Sequence, residues 1–131
     1  MARRQPGGRK PDDRQVTGWL HPVDRAEIET YVRALGLDGA GLLGLLLARE
    51  RRVGRLAALI AKDEPLEGKR TGKVTVRLPD LETKGRVVAH AREHGCGPSE
   101  AAGVLLRAEL REHWLEAVLD DSIRVASAAT A

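Results

Sequence analysis

The stretch from Lys73 to Pro79 places the strongest constraint on the fold, because polar and apolar side chains alternate strictly along it. A period of two is typical of a β-strand with one buried face and one exposed face. The inward positions are expected to be Val74, Val76 and Leu78. The outward positions are then Lys73, Thr75 and Arg77. Since a lone strand can neither bury its apolar face nor pair its backbone, this segment needs a partner strand.

The segment from Gln15 to Leu20 is a weaker copy of this pattern and is the candidate partner. Its inward positions are Val16, Gly18 and Leu20. Its outward positions are Gln15, Thr17 and Trp19. Gly18 is expected to weaken the inner face, because glycine brings no side chain to pack.

Apolar residues at helical spacing predict two helices after each strand. The first is expected to start at a capping-box-like Asp24-Arg25-Ala26-Glu27 and to stop at Gly36. The second is expected to run from about residues 38–41 to about Ala61, with one apolar stripe: Leu42, Leu46, Val53, Leu56 and Ile60. After the other strand, Asp80 can cap a helix that stops near Gly95, and Gly97-Pro98-Ser99-Glu100 can open a last one.

The two halves of the chain repeat. Val16-Thr17 matches Val74-Thr75 at an offset of 58. Five residues of the first half match the second at an offset of 59: Gly36, Gly44, Leu46, Leu47 and Glu50 with Gly95, Gly103, Leu105, Leu106 and Glu109. The repeat predicts two strand–helix–helix copies, residues 15–61 and 73–119, in one compact domain. A linker (62–72), a flexible basic arm (1–14) and a frayed tail (120–131) complete the chain.

The charge of the chain is unevenly spread. Residues 1–14 hold five basic and two acidic residues, which equals the whole formal net charge of +3. No acid interrupts residues 69–77, whereas acids load the end of the chain and are expected to be a solvated face: Glu109, Glu112, Glu116, Asp120 and Asp121. Contact with nucleic acid would therefore depend on segregated charge and not on bulk charge.

The composition indicates an aliphatic core and a cytoplasmic location. The chain has no Phe and only 2% aromatic residues. A single cysteine excludes an internal disulfide and suits a reducing compartment. No apolar run approaches the roughly 18 residues of a membrane span, and no signal peptide is recognised.

The motifs Lys73-Val-Thr-Val-Arg-Leu-Pro79 and Gly95-x-Gly-x-Ser99-Glu100 resemble the ribbon-helix-helix family, well over residues 73–118 and loosely over residues 15–61. In that family, two copies pair their strands into an antiparallel ribbon that enters the DNA major groove. Here both copies would lie in one chain, similar to the tandem proteins that assist DNA processing in plasmid and T-DNA transfer. The resemblance implies a mostly α fold with a two-stranded antiparallel ribbon, an intramolecular pseudo-dimer that is monomeric or weakly oligomeric.

The function that follows is binding of double-stranded DNA, as an accessory factor of DNA transfer with a relaxase-type partner or as a transcriptional repressor. The outward ribbon residues are the candidates for reading bases: Lys73, Thr75, Arg77, Gln15, Thr17 and Trp19. The family also binds phosphate at the start of the second helix, which implies Gly97 and Ser99 here. Other cations are candidates for phosphate contact: Lys69, Arg70, Arg3, Arg4, Arg9 and Lys10.

The first copy departs from the family pattern. Asp38, beside Gly39 to Gly41, would repel phosphate, and Trp19 replaces the basic residue that matches Arg77. Two interpretations of Trp19 are open: contact with DNA, or a place in the core if the strand register differs.

The same sequence contains features of rival functions. His90, His94 and Cys96 have partial ligand spacing, but zinc needs three or four ligands and no second cluster exists, so a solvated helix face is expected instead. No nucleophile–base arrangement or phosphate-cradling loop is present, so neither an enzyme nor a cofactor is predicted. The remaining competitor is a protein-interaction module, a helical adaptor or antitoxin-like protein whose strand is merely structural.

Overall fold

Two short antiparallel strands pair in the computed structural model, which describes residues 13–121. β1 (Gln15–Leu20) pairs with β2 (Gly72–Arg77), and Thr17 lies opposite Thr75. A backbone hydrogen bond of 2.9 Å from Leu78 N to the Arg14 carbonyl extends the pairing by one step. The predicted antiparallel ribbon and the predicted strand faces are confirmed, because Val16, Gly18, Leu20, Val74 and Leu78 are buried.

Helices account for most of the remaining described chain. They are α1 (Pro22–Ala34), α2 (Gly39–Arg52), α3 (Leu56–Lys62), α4 (Leu81–Glu93), α5 (Pro98–Glu112) and α6 (residues 114–121). The mostly helical class predicted from the sequence is therefore confirmed. Among residues 13–121, no single helix is long and apolar enough to cross a membrane; α1 and α2 reach the criterion only as a pair bent by 90°.

The core forms around α5, whose residues 101–109 are buried without interruption. α5 packs against β1, and α2 packs against β2 and α5. The largest fully buried apolar side chains are all aliphatic: Leu20, Ile28, Leu42, Leu43, Leu56 and Leu106. The core is aliphatic, as the composition predicted.

Gly18 has a packing role that the sequence did not reveal. A Cβ atom at this position would lie 2.9 Å from Leu106 Cδ1 and 3.2 Å from the Ala102 carbonyl carbon. The expectation that Gly18 weakens the inner face was therefore wrong, because the missing side chain lets α5 approach β1 closely.

The first helix begins two residues before the predicted Asp24. Pro22 takes the first helical position, where its missing N–H costs nothing, and His21 Nδ1 accepts the Val23 N–H at 3.1 Å. Four other predicted helix starts and stops are confirmed: Asp80 Oδ1 accepts Thr83 N–H at 2.7 Å, Gly97 caps α5, and Gly36 and Gly95 have φ angles of 76° and 77°.

The predicted second helix is broken into α2 and α3. Glu50 is 6% exposed, and its carboxylate accepts the N–H groups of Arg55 and Leu56 at 3.0 Å each, so a side chain holds the start of α3. The break turns two members of the predicted apolar stripe outward, since Val53 and Ile60 are 51% and 37% exposed.

A similar break separates α5 from α6. His113 adopts a left-handed conformation with φ 52°, and the Glu109 carboxylate accepts Leu115 N–H at 2.8 Å. Glu109 is only 2% exposed, so its assignment to a solvated face was wrong. Glu112 is also engaged, through two hydrogen bonds of 2.8 Å with the Arg55 guanidinium.

Asp120 and Asp121, predicted to begin a frayed tail, are still helical, and the rest of that predicted tail lies outside the described residues. The candidate phosphate contacts of the basic arm, Arg3, Arg4, Arg9 and Lys10, lie outside the described residues.

Candidate nucleic-acid interface

The six residues predicted to read bases lie on one face of the ribbon and form three cross-strand pairs. The pairs are Gln15 with Arg77, Thr17 with Thr75, and Trp19 with Lys73. The two threonines are half-buried, and the four outer residues are exposed. The alternation of two strands and their register thus bring together side chains that are about sixty residues apart in sequence.

The threonine pair lies at the centre of this face. Thr17 Oγ1 and Thr75 Oγ1 are 2.8 Å apart, so one hydroxyl donates a hydrogen bond to the other. Each hydroxyl has one donor and two acceptor sites, so the pair keeps one donor and several acceptors for a ligand. The hydrogen bond adds a side-chain contact to the backbone pairing of the two strands.

Trp19 lies on the exposed face, with 42% of its surface accessible. Its ring is 6.0 Å from Lys73 Nζ, at the outer range of a cation–π contact. Of the two interpretations of Trp19, a place in the core is wrong. A large apolar ring on an otherwise polar surface is a feature of contact surfaces.

Two basic side chains hold the ribbon, and sequence reasoning missed both. Arg25 Nε on α1 donates to the Lys73 carbonyl at 2.8 Å. Lys84 Nζ on α4 donates to the carbonyls of Gln15 and Asp13 at 2.7 and 2.9 Å. Arg25 and Lys84 are 59 residues apart, the same offset that relates Gly36 to Gly95, and this regularity could have identified them.

The candidate phosphate site at the start of α5 is partly occupied by the protein itself. Ser99 is exposed in the first turn, but the Gly97 N–H is directed at Glu100 Oε1, 3.4 Å away. At the start of α2, Asp38 Oδ1 accepts the Gly41 N–H at 2.7 Å, so a carboxylate already fills the place of an anion there. Lys69 and Arg70 are exposed in the segment that leads into β2.

Two buried glutamates behind the ribbon connect the halves of the chain. Tyr31 donates from its hydroxyl to Glu109 at 2.6 Å, and His90 Nε2 donates to Glu50 at 2.7 Å. Burial, followed by the hydrogen bond to Glu109, raises the pKa of the Tyr31 hydroxyl well above its usual range. The phenol is therefore a permanent donor at any physiological pH.

The histidines and the cysteine weighed as metal ligands have other contacts. His90 is bound to Glu50, and His94 Nδ1 donates to the His90 carbonyl at 3.0 Å. Cys96 Sγ donates to the Ala91 carbonyl at 3.6 Å, and burial raises the pKa of its thiol. Over residues 13–121, no group of three or more histidine, cysteine or acidic residues is arranged to hold a metal ion.

No family model, curated protein or solved structure that was compared with the chain matches it. What the chain does is therefore inferred from the placement of its own residues.

Proposed function

We propose that this chain binds double-stranded DNA by inserting the β1–β2 ribbon into the major groove. The observation that carries the proposal is the outer face of the ribbon, where three cross-strand pairs present an amide, two hydroxyls, a guanidinium, an ammonium and an indole. A two-stranded ribbon fits the major groove, whose base edges offer a distinguishable pattern of donors and acceptors. A strand that only completed a fold would not need this set of groups on its solvent face.

The fold that supports this function is a tandem ribbon-helix-helix pseudo-dimer within one chain. Residues 59 apart make equivalent hydrogen bonds: Tyr31 with Glu109 matches His90 with Glu50. The same two glutamates accept the N–H groups of Leu56 and Leu115, which are also 59 apart. A repeated set of contacts of this kind is expected from two copies related by a twofold axis.

Further pairs of contacts follow the same relation. Leu37 N–H bonds to the Val32 carbonyl at 2.9 Å, and Cys96 N–H bonds to the Ala91 carbonyl at 3.1 Å. Arg25 on α1 and Lys84 on α4, also 59 apart, each reach across to a carbonyl of the other copy's strand. These contacts favour two copies over an unrelated α+β fold.

The biological role proposed is that of a cytoplasmic accessory factor in DNA transfer or of a transcriptional repressor. Both roles use the same ribbon surface. In the first role, a DNA-processing protein such as a relaxase would be the partner; in the second, occupation of the site would be sufficient.

The proposal is tested by selecting binding sites from a random duplex pool and measuring affinity for the winner and for scrambled DNA. Replacing Arg77 by Ala should lower affinity for the selected site by roughly 10- to 100-fold, the value of a bidentate contact to a base. Affinity for scrambled DNA should change much less.

Arg33→Ala is the matched control, because it removes the same charge from the last turn of α1, where Arg33 is 74% exposed and bonded to Glu29. A selected site bound equally well by wild type and Arg77→Ala would refute the assigned face. If no site is enriched, the result favours the alternative function, a protein-interaction module.

A further inference from the structure

The two ends of the ribbon's outer face carry different chemistry. The register places the local twofold axis at the Thr17–Thr75 pair. In a ribbon made of two identical strands, the pair on one side of this axis would be repeated on the other. Here Gln15–Arg77 lies at one end and Trp19–Lys73 at the other.

The Gln15–Arg77 end is equipped for two directional contacts. A glutamine can bond adenine through N6 and N7, and an arginine can bond guanine through O6 and N7. Both side chains are exposed and belong to opposite strands of the ribbon. This end therefore suits two neighbouring purines, one read by each strand.

The Trp19–Lys73 end is equipped differently. The indole has a single N–H donor and a large apolar surface, which suits a thymine methyl group or a sugar. Lys73 Nζ lies 6.0 Å from the indole ring and is a point charge without a fixed fork. This end cannot reproduce the pair of bidentate contacts that the other end offers.

Resting on the proposed function, we infer that the DNA target is a non-palindromic site that the ribbon binds in one orientation. Palindromic operators mirror the twofold symmetry of the protein dimers that bind them. A ribbon whose two ends differ selects unlike half-sites, so it distinguishes the two strands of the duplex. Such binding suits a process that must act on one strand or in one direction.

The experiment compares the sites selected from a random duplex pool by wild type and by a symmetrised variant. The double substitution Gln15→Lys with Trp19→Arg gives both strands the same outward residues as β2. Wild type should select a motif without an inverted repeat. The double variant should select an inverted repeat. The ratio of its affinity for the wild-type motif to its affinity for the symmetric site should fall at least roughly tenfold relative to wild type, which is the value of one base contact.

The control carries the same increase in charge away from the ribbon. Val53→Arg with Ile60→Lys adds two cations at exposed positions after α2 and in α3, and it should leave the selected motif unchanged. The single variant Trp19→Arg is a second test if the double variant unfolds, as circular dichroism would show. It should select a motif altered only in the half contacted by the Trp19–Lys73 end.

The outcomes separate the two proposals. An inverted repeat selected by wild type would overturn the directional site and leave DNA binding intact. A directional motif that persists in both Trp19 variants would also overturn the inference, since polarity would then not come from these residues. If neither wild type nor any variant enriches a site, the proposed function itself is overturned.

Discussion

Glu50 and Glu109 each use one buried carboxylate to join two parts of the chain. The carboxylate accepts a side-chain donor from the first helix of the opposite half and a backbone N–H from the short helix that follows its own. A buried charge is tolerated only when such bonds compensate its lost hydration. The hydrogen bonds of these two glutamates are therefore expected to stabilise the fold, and each bond can be tested by replacing its donor.

Replacing Tyr31 by Phe should lower the free energy of unfolding by about 1–3 kcal/mol, the range for losing a hydrogen bond to a charged group. The substitution removes the hydroxyl that donates to Glu109 at 2.6 Å. The Glu109 carboxylate is 2% exposed and would keep the hydrogen bond from Leu115 N–H. Chemical denaturation monitored by circular dichroism measures the change.

Glu82→Gln provides the control for this prediction. It removes an exposed ion pair with Arg86, whose side chains are 73% and 57% exposed. Exposed pairs of this kind contribute less than about 1 kcal/mol. If Tyr31→Phe were no more destabilising than Glu82→Gln, the Tyr31–Glu109 bond would not contribute to stability as predicted.

At the scale of elements, the position of each strand depends on how closely a helix can approach it. α5 lies against β1 where Gly18 has no side chain, and α2 lies against β2 where Gly44 has none. The two glycines are not equivalent. A Cβ atom at Gly18 would lie 3.2 Å from backbone of α5, whereas one at Gly44 would meet only Val76 Cγ2, at 3.5 Å.

Gly18→Ala should therefore destabilise the protein by about 1–3 kcal/mol, the cost of adding a methyl group to a filled core. Gly44→Ala is the matched substitution: it makes an ordinary contact and replaces glycine in a helix, so it should be neutral or stabilising by up to about 1 kcal/mol. Thermal and chemical unfolding of the two variants give the comparison. Equal effects at both sites would show that α5 can move away from β1.

Strict alternation and helix-stop glycines made the elements predictable from sequence. The strand faces, the stops at Gly36 and Gly95 and the start of α5 depend on local rules, and all were found. The two helix breaks depend on buried carboxylates, which a spacing pattern does not show. Val53, Leu56 and Ile60 keep the spacing of the predicted stripe, but Glu50, which is also bonded to His90, accepts the N–H groups at the start of α3.

The candidate site was predictable for a related reason. The alternation of residues along each strand predicted which side chains face outward, so all six candidate base-reading residues were assigned to the correct face. The alternation could not give the register, and therefore could not show which residues pair across the ribbon. The hydrogen bonds from Arg25 and Lys84 to the strands were missed as well, because backbone carbonyls accept them and no side-chain partner stands in the sequence.

At the scale of the whole molecule, residues from both halves of the described chain belong to one hydrophobic core. α5 from the second half covers β1 from the first, and α2 from the first half covers β2 from the second. Arg107, in the middle of α5, also binds Asp63 through two bonds of 2.7 Å at the start of the linker. Elements of each half of the chain thus cover the strand of the other half.

Because the strands pair within one chain, stability should not depend on protein concentration. The midpoint of thermal unfolding should stay constant over a hundredfold range of concentration, whereas a dimer would become more stable as its concentration rises. Sedimentation equilibrium should give a mass near the 14.2 kDa of one chain across the same range. A midpoint that rises with concentration, together with a mass twice that of the chain, would mean that β1 and β2 pair between two molecules, and the ribbon would then have to be assigned to a dimer.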